Sequence, residues 1–122
     1  MALPAYTDTG DLPTGVHRVS LSEVLHHFGL GSVQRSLVAQ RLERVYRLAA
    51  ATGHLRRFVV FGSFVTYKPE PNDADIFLLM EDTFDVALLT GESRLVFEHS
   101  AAQSYFGASV FWLRRMAILG NE

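Results

Sequence analysis

The chain of 122 residues contains no cysteine. That excludes disulfides, thiolate zinc centres, iron–sulfur clusters and a cysteine nucleophile. Long apolar runs are missing too: a stretch such as Ile76 to Met80 falls far short of the roughly 20 residues that a membrane-spanning helix requires. There is no surplus of positive charge. With 11 Lys and Arg against 13 Asp and Glu, the net charge is −2, so no overall basic field draws in nucleic acid. Met1 to Gly15 has neither a basic head nor an apolar stretch and does not read as a secretory signal. The expected protein is cytoplasmic, with no membrane and no nucleic-acid partner.

What is present suits an ordinary globular chain, with 48% hydrophobic and 20% charged residues in a length that fits one core. Residues 1–16 carry Pro4, Gly10, Pro13 and Gly15 with little periodicity and read as an irregular arm. Residues 17–122 then form a single domain. Ser20 and Glu23 have capping-box spacing ahead of a short helix from Leu21 to Phe28. His26 and His27 fall on it, but adjacent helical residues point about 100° apart and do not chelate a metal together. They read as surface or packing residues.

Val38, Leu42, Val45 and Ala49 recur at helical spacing in a long helix from about Val33 to Thr52, with Gly53 as its stop. Arg35, Arg41, Arg44 and Arg47 are assigned to its solvated side. Arg57 to Phe61 reads as a buried strand and Ala74 to Met80 as a second. Thr83 to Leu89 and Glu92 to Phe106 read as mainly helical, broken near Gly91, although Leu95, Val96 and Phe97 also fit a strand. Ala108 to Leu113 is a third β segment, and a helical or frayed end follows from Arg114. The expected fold is α/β in the α+β sense, a small mixed sheet flanked by helices. Trp112 and Phe111 read as core or interface, while His17, His54 and His99 are isolated in sequence.

The stretch that carries chemistry is Val60-Phe61-Gly62-Ser63, a connector from Phe64 to Asn72, and then Asp73-Ala74-Asp75. Two carboxylates at i and i+2 on a strand project to the same face. Like charges held side by side are costly unless a cation neutralises them. Hard divalent cations take such oxygen ligands, which makes Asp73 and Asp75 a candidate Mg²⁺ or Mn²⁺ site. Gly62 and Ser63 offer a backbone N–H and a hydroxyl to phosphates, and a glycine allows close approach. Lys68 is the first cation after them and suits a phosphate as a point charge.

Between Arg57 and Leu113 this pattern resembles the minimal nucleotidyltransferases of the DNA polymerase beta-like superfamily, whose signature is an apolar strand ending in Gly-Ser followed by Asp-x-Asp on the next strand. The resemblance implies that Asp73 and Asp75 are the catalytic, metal-holding pair, with Gly62 and Ser63 at a nucleoside triphosphate; many members carry an arginine in the helix after Gly-Ser, where this chain offers Lys68 as its first cation. Its expected reaction is attack of an acceptor hydroxyl, on a protein or small molecule, at the alpha-phosphorus with loss of pyrophosphate. The family's third acid lies on a later strand, where this chain places Ser109; Glu98, or else Asp85, is the alternative. The competing expectation is a catalytically degenerate domain that binds a partner, as in toxin–antitoxin pairs, or a second copy of itself. A third expectation is an unrelated α/β domain, which would be preferred if Asp73 and Asp75 pointed away from the Gly62-Ser63 turn.

Overall fold

The structure, a computed structural model, describes residues 17–66 and 71–116. The expected arm over residues 1–16, Lys68 in the connector, and the chain end from residue 117 lie outside the described residues.

Local chemistry starts the helices. The Ser20 hydroxyl accepts a hydrogen bond from the Glu23 N–H at 3.1 Å and opens α1, Leu21–Phe28. Ser32 does the same for the Arg35 N–H at 3.0 Å and opens α2, Val33–Ala51. Each cap satisfies a donor that the first helical turn would otherwise leave unpaired. Strands β1, Leu55–Phe61, and β2, Ala74–Met80, follow; then come α3, Gly91–Val96, α4, His99–Phe106, and β3, Ala108–Arg114.

The three strands form one mixed sheet in the order β1-β2-β3, with β1 antiparallel and β3 parallel to β2. The parallel return to β3 needs a crossover, and α3 and α4 lie in that connection. Ile76, Leu78 and Met80 of β2 and Val110 of β3 are buried in one core with Val38, Leu42, Val45 and Ala49 of α2. The alternate residues form the other face, in rows that the register defines: Phe61, Asp75 and Ser109, then Val59, Phe77 and Phe111. This face is open, with Phe61 41% and Phe111 47% exposed.

The structure corrects several expectations. The first strand starts at Leu55 and is an edge strand with Arg56, Arg57, Val59 and Phe61 exposed, not a buried one, because helices cover only one face of the sheet. Thr83 to Leu89 holds only a 3-10 turn, Val86–Leu88. Asp85 accepts the Ala87 N–H at 3.0 Å, and this local bond replaces helical pairing. The break in the later helical stretch falls at Phe97 and Glu98, whereas Gly91 begins α3. Leu95 to Phe97 is not a strand.

Arg35 is only 6% exposed, so it does not share the solvated side of α2. Its guanidinium donates to the backbone carbonyls of Phe28, Phe64 and Thr66. Arg44 and Arg47 are exposed and pair with Glu92 and Glu43. His26 and His27 are on the surface. Trp112 joins Phe84 and Phe97 in an aromatic cluster, while Phe111 faces the open side. Among the described residues no helix is long and apolar enough to cross a membrane.

Candidate functional site

The site lies where β1 ends, β2 begins and β3 begins. β1 leaves the sheet at Gly62, whose φ of 80° and ψ of −161° lie in a region that is essentially restricted to glycine. A short 3-10 turn, Ser63–Val65, follows. It is closed by Val65 N–H to Gly62 O and Thr66 N–H to Ser63 O, both at 3.2 Å, and by the Thr66 hydroxyl donating to Ser63 O at 2.7 Å. Phe64 is fully buried beneath it and anchors the turn to the core.

Asp75 is the second residue of β2, opposite Phe61 on one side and Ser109 on the other. Its carboxylate lies directly on Gly62. A Cβ at position 62 would stand 2.0 Å from Asp75 Oδ2 and 3.0 Å from its Cγ. Glycine is therefore required there twice, by backbone conformation and by the carboxylate. Asp73 stands just ahead of β2, outside the strand proper, and its Oδ2 accepts a hydrogen bond from the Ser109 hydroxyl at 3.1 Å. Burial, and then the charge of Asp73, raise the Asp75 carboxyl above its ordinary range. Both causes disfavour the carboxylate form.

Gly62, Asp73, Asp75 and Ser109 thus come together from three separate stretches of the chain, and Ser63 begins the turn beside them. Lys68 lies outside the described residues. Glu98 and Asp85 are engaged elsewhere: Glu98 pairs with Arg94 at 3.2 Å, and Asp85 caps its own turn. Among the described residues no cluster of three or more His, Asp or Glu side chains is placed to hold a metal ion. His99 lies 3.1 Å from Val110 O through Nδ1, and His54 lies beside Thr83 and Phe84.

Two residues of this region escape a sequence reading. Arg35 donates from Nη1 to Phe28 O at 3.0 Å and Phe64 O at 2.8 Å, and from Nη2 to Thr66 O at 2.5 Å. Gln34 donates from Nε2 to Pro71 O at 3.0 Å and Asn72 O at 3.4 Å. A signal for Arg35 does exist. Positions 35, 38, 42, 45 and 49 follow a spacing of three and four, which places Arg35 on the same buried stripe as Val38 and Leu42.

One protein family, described as a family of unknown function (DUF6932), matches residues 4–118. No curated protein and no solved structure matches the chain.

Proposed function

The chain belongs to the DUF6932 family, and we propose that it is a nucleotidyltransferase-like domain that binds a divalent cation with a nucleoside triphosphate. The reading rests on one observation: the Asp75 carboxylate lies on Gly62, with Asp73 beside it, so the separated halves of the motif form one site.

The donor set fits Mg²⁺ or Mn²⁺. Asp73 and Asp75 supply hard oxygen ligands, and burial together with the charge of Asp73 disfavours the Asp75 carboxylate, which a bound cation would relieve. These two side chains would hold the cation, which when bound supplies positive charge against the phosphates. Gly62 presents no side chain and admits a close ligand. Ser63 offers its hydroxyl, and Lys68 provides a cation for the phosphate tail. The reaction we assign is attack of a protein or small-molecule hydroxyl on the alpha-phosphorus of the triphosphate, which breaks the bond to the beta-phosphate and releases pyrophosphate, with the hydroxyl proton passing to a carboxylate of the pair. The absence of cysteine and the net charge of −2 support a cytoplasmic setting and an acceptor other than nucleic acid.

A second reading has its own support. Ser109 stands beside both aspartates and donates to Asp73, where the resembling family carries an acid. A hydroxyl neither ligates as strongly nor accepts a proton as readily as a carboxylate. This favours a domain that binds nucleotide, transfers it slowly, and acts through a protein partner, as in a toxin–antitoxin pair, or through a second copy of itself.

Calorimetric titration with Mn²⁺ tests the shared premise. Wild type should bind the ion and the double variant Asp73→Asn, Asp75→Asn should not; equal affinity in both removes the site. Release of pyrophosphate from a nucleoside triphosphate then separates enzyme from binding module.

A further inference from the structure

We infer that Gln34 and Arg35, consecutive residues in the first turn of α2, are positioning residues that hold the two halves of the nucleotide site in register. The inference rests on the nucleotide-binding reading given above. Arg35 grips the turn after Gly62 through Phe64 O and Thr66 O, while Gln34 grips the backbone just before Asp73 through Pro71 O and Asn72 O. One helical turn therefore holds the chain both after Ser63, at Phe64 and Thr66, and before Asp73, at Pro71 and Asn72.

The chemistry of Arg35 favours this role over simple core filling. It occupies a place on the buried stripe of α2 where its neighbours are Val38 and Leu42, and an apolar residue there would avoid the cost of burying a charge. What an apolar residue lacks is a fork of donors. The guanidinium reaches Phe28 O, Phe64 O and Thr66 O at once and sits 5.7 Å from the Phe64 ring centroid. These acceptors are all main-chain carbonyls, so the fork fixes the course of the backbone. Lysine keeps the charge, but its single nitrogen does not span the same carbonyls. Gln34 likewise binds two successive main-chain carbonyls, and these lead straight into the carboxylate pair.

The two grips act on different halves of the site, and this makes them separable from a general loss of stability. Arg35 holds the phosphate-facing turn; Gln34 holds the approach to the carboxylates. The test uses the full chain and two probes, Mn²⁺ alone and inorganic tripolyphosphate in saturating Mn²⁺, both followed by calorimetry. Tripolyphosphate carries the phosphates common to every nucleoside triphosphate, so the base need not be known. Arg35→Lys is expected to weaken tripolyphosphate about tenfold and leave Mn²⁺ within about twofold. Gln34→Ala is expected to weaken Mn²⁺ alone about threefold or more, as loss of a neutral hydrogen bond does.

This crossed pattern supports the assignment. Equal losses for both probes in both variants, following their melting temperatures, would reduce the two residues to ordinary structural supports and overturn it. Unchanged binding in both variants overturns it while leaving the nucleotide reading intact. If wild type binds Mn²⁺ but not tripolyphosphate, the nucleotide reading and this inference fall together. Should Arg35→Lys fail to fold, Gln34→Ala decides alone, and unaltered Mn²⁺ affinity in that variant overturns the assignment.

Discussion

Replacing Gly62 by alanine imposes two penalties that can be measured apart. The backbone at φ 80° and ψ −161° costs a residue with a side chain about 1–3 kcal/mol. The new Cβ would also stand 2.0 Å from Asp75 Oδ2 and 3.0 Å from Cγ, so the carboxylate has to turn away. Overpacking of this kind costs about 1–3 kcal/mol, here toward the lower end because only a short side chain moves. In an Asp75→Ala background the nearest remaining atom is the residue 75 Cβ at 3.4 Å, an ordinary contact, and only the backbone penalty survives. A double-mutant cycle of Gly62→Ala and Asp75→Ala should therefore show a coupling of about 0.5–1.5 kcal/mol, the scale expected of residues in contact. Urea denaturation at neutral pH with chelator present gives the four stabilities, and an unchanged urea dependence among them keeps the comparison sound. Mn²⁺ titration of Gly62→Ala adds an independent reading, since the ion should bind more weakly although both acids remain. A coupling within about 0.3 kcal/mol of zero would refute the placement of the carboxylate on Gly62.

Asp75→Asn should stabilise the metal-free protein at neutral pH, because it removes a carboxylate that burial and the charge of Asp73 disfavour. The raised carboxyl means that the native chain takes up a proton at higher pH than the unfolded chain, so wild type loses stability as pH rises from the ordinary carboxylate range through the raised value. In chemical denaturation across pH, the advantage of the variant should shrink toward about pH 4 and below, where both side chains are neutral; an advantage that is constant with pH contradicts this. Ser109→Asp should tighten Mn²⁺ binding and raise pyrophosphate release, whereas Glu98→Gln should leave both unchanged because Glu98 is paired with Arg94. Loss of activity in Glu98→Gln would show that Glu98 supplies the third acid. In thermal melts a nucleoside triphosphate should stabilise wild type with Mg²⁺ and not with EDTA, since only a ligand of the native state raises the midpoint. Equal stabilisation in both buffers contradicts a cation-bridged ligand.

Much of this site could be read from order and spacing alone. An apolar strand that ends in Gly62-Ser63, followed by acids two apart at the start of another strand, needs only the sheet register to bring the parts together, and Ser109 falls beside them once β3 pairs in parallel with β2. The start of the first helix was equally legible, because the Ser20 cap acts within three residues. Arg35 was hidden by its charge. Its spacing with Val38 and Leu42 marks a buried position, but only the tertiary fold brings up the carbonyls of Phe64 and Thr66 that make burial tolerable. The exposure of β1 was hidden for a different reason. Val59 and Phe61 are as apolar as Phe58 and Val60, and sequence alternation does not say which face the helices cover. At Thr83 to Leu89, helical periodicity competed with the Asp85 side chain, and the single local bond to Ala87 prevailed.

The central claim, that Asp73 and Asp75 form a cation-dependent nucleotide site on the Gly62-Ser63 turn, is tested most directly by diffraction from crystals soaked with Mn²⁺ and a non-hydrolysable nucleoside triphosphate, using the anomalous signal of manganese. The account predicts an anomalous peak in ligand contact with both carboxylates and triphosphate density extending over Gly62 and Ser63. A peak elsewhere on the protein, or triphosphate bound away from the turn with the carboxylates still hydrogen-bonded only to the chain, would contradict it.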